Sequence, residues 1–280
     1  MHKKEFTPYL EKIIYQLQNK QIYYENIYRN PDKIEGKNEY LFFLKPEITL
    51  DDEAIKLPEI LDIVIDKMNE YNLDVTRINA LSAKYLFDHK IIDNHYGVIN
   101  RIAGDAINEI SETARKQFKT LYGDEPENSN ILGGLEFINE YTEYSPKELN
   151  ALWEQHDADK LAGGTYCVPL EIEGKKVYLV NGFHPLQLEH FTQKGRSIVT
   201  FNLVSDTDWH VARESFIGAT NPKDAKKGSL RNMFNEQQEE LGLYISPSRN
   251  GAHLSAGPVE GLIELMRYDS NFSKNIMLML

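Results

Sequence analysis

Cysteine is almost absent from this sequence, since Cys167 is the single thiol among 280 residues. One cysteine excludes a disulfide framework within the chain and any metal site built from several cysteines. We therefore expect Cys167 to be a buried structural residue.

Positive charge is also in short supply, because 31 Lys and Arg residues face 43 Asp and Glu residues for a net charge of −12. Nucleic acids and anionic membranes bind basic surfaces, so neither is an expected partner. A site for phosphate groups would have to be a local cluster of positive charge.

Long hydrophobic runs are missing too. No window approaches the roughly eighteen apolar residues that span a bilayer, and the first residues, MHKKEFTPYLEKII, lack the apolar segment of a signal peptide. We expect a cytoplasmic protein.

The spacing of apolar residues predicts alternating helices and strands. Helices show apolar positions three and four residues apart, and strands show alternation or short apolar runs bounded by turn residues. In chain order, the predicted elements are a helix within 6–29, a strand at 40–44, a helix at 58–70, a strand at 73–81, a helix at 82–93, a strand at 197–204, a helix at 206–217, a strand at 243–246 and a helix at 258–268. This order predicts an α+β fold whose core is a ferredoxin-like βαββαβ antiparallel sheet.

Residues 97–182 are not needed for that sheet. They contain a predicted amphipathic helix between Ile102 and Leu121, a second helix near 146–161, and a hairpin in CVPLEIEGKKVYLV at 167–180. We interpret this region as a mixed α/β insertion.

The stretch NGAHLS, residues 250–255, places one histidine in a short polar turn ahead of a helix that Pro258 opens. Glu264 follows His253 by eleven residues, and its carboxylate could turn back toward the histidine. This arrangement suits an oriented nucleophile or base. The alternative is an ordinary polar residue in a loop.

Two further segments carry groups that bind phosphate. Lys45 stands at the end of the strand at 40–44, and residues 217–231, IGATNPKDAKKGSLR, form a loop rich in donors and positive charge. The loop lacks the Walker A spacing, so it is either a phosphate-binding surface or a solvated basic turn. The histidine pairs at 89 and 95 and at 184 and 190 lack zinc-binding spacing, so we expect no metal held by the protein itself.

The segments YLFFLKP (40–46), IGATNPKDAKKGSLR and NGAHLS, with Glu264 beyond them, together resemble the nucleoside diphosphate kinase family. The resemblance covers about 41–96 and 183–270. It implies a kinase-like core at 40–96 and 183–270, an N-terminal helical extension at 1–39, an insertion at 97–182 in the nucleotide-lid region, and a C-terminal tail at 271–280.

The resemblance also implies a role for each matching residue. His253 would be the nucleophile that accepts the phosphate, and Glu264 and Ser255 would orient it. The remaining matches would bind the nucleotide: Lys45 at the ribose and transferred phosphate, Asn250 at the sugar, Arg231 and Thr220 at the phosphates, Tyr96 near the phosphate, and Phe183 (or His184) with Pro247 on either side of the base.

The chain departs from the family pattern beside this site. Glu214 stands where the family has its first phosphate-binding arginine, and Arg213 is one position away, a rotation of about 100° on a helix. Either a local bulge brings Arg213 to the site, or the site lacks one charge. Leu254 replaces a glycine and could crowd the turn, and Ala256 replaces an aspartate.

The implied function is a Mg²⁺-dependent kinase that transfers the terminal phosphate of ATP or another nucleoside triphosphate to a nucleoside diphosphate by a ping-pong mechanism. Such kinases are usually homo-oligomers. One alternative is a catalytically weak nucleotide-binding or regulatory protein of the same fold, which acts through its insertion and extension. Another is an enzyme with an altered acceptor.

Overall fold

The computed structural model describes residues 3–18, 22–31 and 35–269. The chain divides into two compact units, residues 1–91 with 191–280 (unit 1) and residues 92–190 (unit 2). The predicted C-terminal tail at 271–280 lies outside the described residues. Across the described ranges, no helix combines the length and the hydropathy that a membrane span requires.

Nine strands are present in the described residues, and they form one sheet in each unit. The strands are β1 (Tyr24–Arg29), β2 (Asn38–Leu44), β3 (Asp74–Ser82), β4 (Ile131–Gly133), β5 (Asp159–Ala162), β6 (Thr165–Ile172), β7 (Lys175–Val180), β8 (Ser197–Ser205) and β9 (Ala252–Leu254).

The helices lie between these strands and after the last one. They are α1 (Lys3–Gln18), α2 (Leu57–Glu70), α3 (Ala83–Asp88), α4 (Ile91–His95), α5 (Gly97–Gly104), α6 (Ala106–Glu109), α7 (Glu112–Tyr122), α8 (Gly134–Glu140), α9 (Pro146–Glu154), α10 (His184–Thr192), α11 (Trp209–Val211), α12 (Leu230–Glu236), α13 (Gln238–Leu241) and α14 (Pro258–Tyr268). A π-helical segment, Ala212–Ile217, continues α11.

The sheet of unit 1 has the strand order β1-β3-β8-β2-β9, and every neighbouring pair is antiparallel. Its last four strands have the ferredoxin-like order, with α2 between β2 and β3 and helical segments between β8 and β9. The predicted fold class is therefore confirmed. Aromatic and aliphatic residues fill β2, which ends before Pro46 because proline has no N–H to donate to the ladder.

The last strand of the ferredoxin-like core, the fourth in chain order, is not where the sequence predicted it. Residues 243–246 form no strand, and β9 at Ala252–Leu254 pairs with β2 instead. Leu243 and Ile245 are buried, but their N–H groups donate to the backbone and side chain of Gln238. Their apolar spacing marked burial rather than strand pairing. His253 consequently lies in a strand and not in a turn.

The N-terminal extension was predicted as one helix, and this was wrong in its second half. The helix α1 ends at Gln18, and β1 pairs with β3 of the core sheet. An apolar pattern in YENIYR fits either element, and the available hydrogen-bonding groups of β3 select the strand. The helix predicted at 82–93 is likewise broken, since α3 ends at Asp88 and Lys90 has a φ of 50°.

Unit 2 has the sheet order β4-β7-β6-β5. The predicted hairpin at 167–180 is confirmed as β6 and β7. The predicted helix from Ile102 to Leu121 is three helices, because Ser111 accepts a hydrogen bond from the Ala114 N–H and starts α7 anew. The helix near 146–161 ends at Glu154, ahead of β5. Cys167 is buried as expected, and burial raises the pKa of its thiol to about 12.

Candidate active site

His253 sits at the centre of β9, directly opposite Phe43 of β2. The two rings stack with centroids 4.6 Å apart and planes at 20°. The Phe43 ring in turn stacks on Tyr268, the last residue of α14, at 5.4 Å. The imidazole is therefore held from one side by a column of aromatic rings, and 17% of its side-chain area stays exposed.

A tight turn feeds the chain into β9. Gly251 has a φ of 82°, and a Cβ at this position would approach the Phe234 ring to 2.6 Å, so a larger residue would not fit. Its N–H donates to Glu47 Oε1 at 2.9 Å, and its carbonyl accepts from the Lys45 N–H at 2.9 Å. The turn before the histidine is thus fixed to the end of β2.

Glu264 and Ser255 orient the imidazole. Nε2 of His253 lies 3.0 Å from Oε2 of Glu264, and the Ser255 hydroxyl donates to the same oxygen at 2.6 Å. The hydroxyl also accepts from the Leu41 N–H at 3.1 Å. Because a carboxylate only accepts hydrogen bonds, Nε2 must carry the proton, and the lone pair of the neutral ring is on Nδ1.

The helix α14 supplies Glu264 from its buried face. Pro258 stands in the first turn of α14, as Pro58 does in α2. Proline suits this position because the N–H groups of a first turn have no partner within the helix, and proline has no N–H. Gly261 lets α14 approach β2 closely, since a Cβ there would lie 2.8 Å from the Glu39 carbonyl oxygen. Glu264 is 8% exposed. The predicted contact between the histidine and a carboxylate eleven residues later is present.

Three positively charged side chains surround this pair. Lys45 is buried at the end of β2. Arg231 of α12 is buried and donates to the carbonyls of Gly218 and Ala252 at 3.0 and 2.9 Å. Arg213 donates to the carbonyl of Leu254 at 2.5 Å. Ala252 and Leu254, whose carbonyls accept these bonds from Arg231 and Arg213, are the residues on either side of His253 in β9.

The π-helical segment explains how Arg213 reaches the site. The Gly218 N–H bonds to the Arg213 carbonyl, five residues back, so this turn holds one residue more than an α-helical turn. The extra residue rotates Arg213 toward β9. Glu214 faces away, with its carboxylate 3.6 Å from both Lys226 and His210. Of the two alternatives, the bulge is therefore the one observed.

Burial and charge set the protonation of the site. Burial, with the charges of Arg231, Lys45 and Arg213, holds the pKa of His253 well below its ordinary value, so the imidazole is neutral near pH 7. Burial lowers the pKa of Lys45 to about 8, with the Glu47 carboxylate raising it and Arg231 lowering it. Burial also lowers the pKa of Arg213, and the Glu264 carboxylate opposes that shift.

Leu254 does not crowd the histidine. Successive strand residues point to opposite faces of a sheet, and Leu254 is fully buried in the hydrophobic core beneath β9. Ala256 is exposed after the strand ends. The core therefore accommodates the side chain of Leu254.

The structure brings Thr220, Asn250 and Pro247 together. The Asn250 amide donates to the carbonyls of Thr220 at 3.0 Å and Pro247 at 3.3 Å. Asn250 Oδ1 is buried and has no hydrogen-bond partner among the residues that the structure describes. Thr220 and Pro247 are exposed.

Tyr96 and Phe183 belong to unit 2, and their nucleotide-binding roles stay predictions. Tyr96 precedes α5 and has its ring 6.4 Å from that of His184. Phe183 packs against Trp153 at 5.7 Å. His184 is buried, its Nε2 lies 2.9 Å from Asn100 Oδ1, and burial lowers its pKa.

Sequence reasoning missed Phe43, Glu47 and Gly251. Phe43 was assigned only to a buried strand, because the sequence placed His253 in a turn and not in a strand that pairs with β2. Glu47 follows Lys45, a predicted site residue, by two positions, and this proximity in sequence was the only indication that it lies near the site. Gly251 precedes His253 in the same motif, and a glycine at a turn often marks a positive φ.

Known proteins give distant similarities. Comparison with protein-family models finds no match, and comparison with curated protein sequences finds none either. Among solved structures, the nucleoside diphosphate kinase from Encephalitozoon cuniculi (cubic form, apo) is similar with a TM-score of 0.40 and 12% identity, covering 83% of this chain and 88% of that one.

A second similar structure is an NDP kinase from Pyrobaculum aerophilum, with a TM-score of 0.36, 14% identity, and coverage of 82% of this chain and 94% of that one. Values this low do not establish a shared function. The side chains around His253 bear on the chemistry directly.

Proposed function

We propose that this chain is a phosphotransferase that moves the terminal phosphate of a nucleoside triphosphate to a nucleoside diphosphate through phospho-His253. One observation carries the proposal. A neutral, half-buried imidazole is oriented by Glu264 and lies among the positive charges of Lys45, Arg213 and Arg231. A neutral nucleophile within a cationic site is the arrangement that attack on a phosphate requires.

In the first half-reaction, the Nδ1 lone pair of His253 attacks the terminal phosphorus. The P–N bond forms, the P–O bond to the preceding phosphate breaks, and the nucleoside diphosphate leaves with that oxygen. The Nε2–H bond to Glu264 stabilises the positive charge that develops on the ring, and Ser255 holds the carboxylate in place. The second half-reaction reverses these steps with a different diphosphate.

The cations stabilise the charge on the transferred group. An arginine has five N–H donors, so Arg213 and Arg231 can bind phosphate oxygens while each keeps its backbone carbonyls. Lys45 adds an ammonium group from the end of β2. Such fixed donors cost no reorganisation during the transfer.

Mg²⁺ belongs to the substrate in this proposal. Magnesium prefers carboxylate and carbonyl oxygens, whereas the site is mainly cationic. Its two carboxylates already bond to protein groups, Glu264 to His253 and Ser255, and Glu47 to the Gly251 N–H. The residues present therefore suit an ion that arrives on the phosphates of the nucleotide.

The remaining contacts define the nucleotide's position. We assign Asn250 to the sugar on the resemblance, and the exposed Thr220 offers a hydroxyl to a phosphate. We assign Pro247 and Phe183 to the base and Tyr96 to the phosphate on the resemblance alone. Stacking on such residues tolerates many bases.

The first prediction concerns the phosphoenzyme. Incubation with γ-labelled ATP and Mg²⁺ should give an acid-labile label on the wild-type chain and none on His253→Ala. His156→Ala, which removes an exposed histidine of unit 2, is the matched control and should label like wild type. Chasing the labelled chain with each nucleoside diphosphate should then release labelled triphosphate.

Two results would contradict the proposal. The first is the absence of acid-labile label on wild type, and the second is equal labelling of His253→Ala. A stable label that no diphosphate removes would instead favour the regulatory alternative, in which the chain accepts the phosphate once but passes it on poorly.

A further inference from the structure

The helix α14 has a second apolar face that the core does not use. Val259, Leu262, Ile263 and Met266 are 65, 45, 47 and 42% exposed. Their spacing of three, one and three residues aligns them in one stripe on the helix, which we call the outer stripe.

The outer stripe lies opposite the face that packs on β2. The buried residues of α14 are Gly261, Glu264, Leu265 and Tyr268. With about 100° per residue, the centres of the two faces are roughly 160° apart. Single exposed apolar side chains are common on protein surfaces, but four adjacent ones on one helix mark an interaction surface.

The outer stripe is complementary to a second copy of itself. Its residues are spaced symmetrically about the point midway between Leu262 and Ile263. If a second α14 lies antiparallel across this point, Val259 meets the partner's Met266 and Leu262 meets the partner's Ile263. Four residues on each side then pack without a gap, as a twofold interface requires.

Charge on the rim of the outer stripe selects the same arrangement. Glu260 and Arg267 lie on one flank of the stripe, within about 20° of each other around the helix. In an antiparallel twofold pair, equal flanks face each other. Glu260 therefore falls about 3 Å along the axis from the partner's Arg267, twice per dimer. A parallel pair would bring neither charge opposite the other.

We propose that the outer stripe of α14 is a homodimer interface in which the two helices pack antiparallel. A standard stable interface buries about 800 Å² per partner. One helical stripe with its rim supplies only part of that area. The dimer is accordingly weak, with a dissociation constant on the order of micromolar. This dimer does not depend on phosphate transfer, and the experiments that test the dimer do not measure phosphate transfer.

The second prediction is a pattern of disulfide cross-links. In the antiparallel dimer, two copies of position 262 lie about 1.5 Å apart along the axis, and two copies of position 259 about 10 Å. A disulfide needs Cα atoms about 4.4–6.8 Å apart. Leu262→Cys should therefore form a covalent dimer on mild oxidation, whereas Val259→Cys, a control at a more exposed position, should not. Cys167 is buried and does not compete.

Charge reversal tests the orientation by a second route. Sedimentation velocity over a range of concentrations should show reversible dimers of wild type. Glu260→Arg and Arg267→Glu should each weaken the dimer by about tenfold, because each places like charges opposite each other. The double variant should restore wild-type affinity. Glu260 is exposed, Arg267 is half-buried, and neither belongs to the hydrophobic core of the unit. Recovery of association in the double variant would show that the single variants lose it through charge and not through misfolding.

Four results would overturn the proposal. Wild type could remain monomeric up to several hundred micromolar. Val259→Cys could cross-link as well as Leu262→Cys, which indicates parallel or nonspecific contact. The double charge reversal could fail to restore affinity. Finally, a chain that ends after Asp269 could dimerise while the full chain does not, which would show that residues 270–280 cover the outer stripe.

Discussion

At His253, burial and charge act on the same equilibrium. Three cations and a nearly dry environment oppose protonation of the ring, and Glu264 accepts the one proton that the neutral ring keeps. The imidazole is therefore neutral over a wider pH range than a solvated one. Burial also lowers the pKa of Lys45, to about 8. For this residue the shift removes a useful positive charge just above neutral pH.

The third prediction is a pH profile without an acidic limb. The second-order rate of His253 labelling should be nearly constant between pH 6 and 7.5. A histidine with the ordinary pKa of about 6.5 would lose about fourfold over this range through protonation. Above about pH 8 the rate should fall as Lys45 loses its proton and its charge.

Lys45→Met is the control for the basic limb. It should label slowly at all pH values and show no further fall near pH 8. A fourfold loss from pH 7.5 to 6 in wild type would mean that the cations do not hold His253 neutral.

The sequence predicted which residues lie at the site, but it predicted only some of the hydrogen bonds between them. The spacing between His253 and Glu264 predicted their contact because a helix that starts at Pro258 fixes where Glu264 points. The bond between Glu47 and the Gly251 N–H joins segments that are 204 residues apart. No local pattern encodes a pairing of that kind.

Among the elements, the π-helical segment has the greatest effect on chemistry. One additional residue in a turn exchanges the directions of Arg213 and Glu214, and so decides the sign of the charge beside His253. The apolar positions of residues 206–217 indicated a helix but not its hydrogen-bonding pattern. An i to i+5 turn is chosen by packing on both sides of the segment, which a single sequence does not display.

The fourth prediction compares these two neighbours. Arg213→Ala should lower the labelling rate by about 10²-fold or more, as the loss of a fixed donor to the transferred phosphate does. Glu214→Ala should change the rate by less than about threefold, because its carboxylate contacts exposed Lys226 and His210. Equal losses in the two variants would contradict the role given to the π-helical segment.

The fourth strand shows how an element can be misplaced while the fold is right. Leu243 and Ile245 are as buried as strand residues, and the sequence offers no sign that their N–H groups bond to Gln238. The strand β9 was missed because its three residues are too few to show an alternation of apolar and polar side chains. Its pairing comes from β2 and from the turn at Gly251.

On the scale of the whole molecule, the N-terminal extension is part of unit 1 and not an appendage. Phe6, Ile13 and Leu17 of α1 are buried in the same hydrophobic core as α2 and β3, and Ile27 of β1 joins them. The sequence predicted an amphipathic helix here, and its apolar face is indeed the buried one. It did not reveal what that face would contact.

The fifth prediction measures this packing. Ile13→Ala should lower the free energy of unfolding of unit 1 by about 2–4 kcal/mol, because it leaves a cavity in the core. Tyr15→Ala, which truncates a 64% exposed side chain on the same helix, should cost less than about 0.5 kcal/mol. Urea unfolding of a Trp153→Phe background isolates the signal of Trp209 and hence of unit 1. Equal stabilities of the two variants would contradict this packing.

The two arginines beside His253 also have a consequence for solubility. In β9, the carbonyls of Ala252 and Leu254 point away from β2, toward the open edge of the sheet, and Arg231 and Arg213 bind them. An open edge is a template on which another chain can add a strand and aggregate. The guanidinium groups close that template with charge. These two bonds need no nucleotide, so the arginines would oppose edge-to-edge aggregation whether or not the chain transfers phosphate.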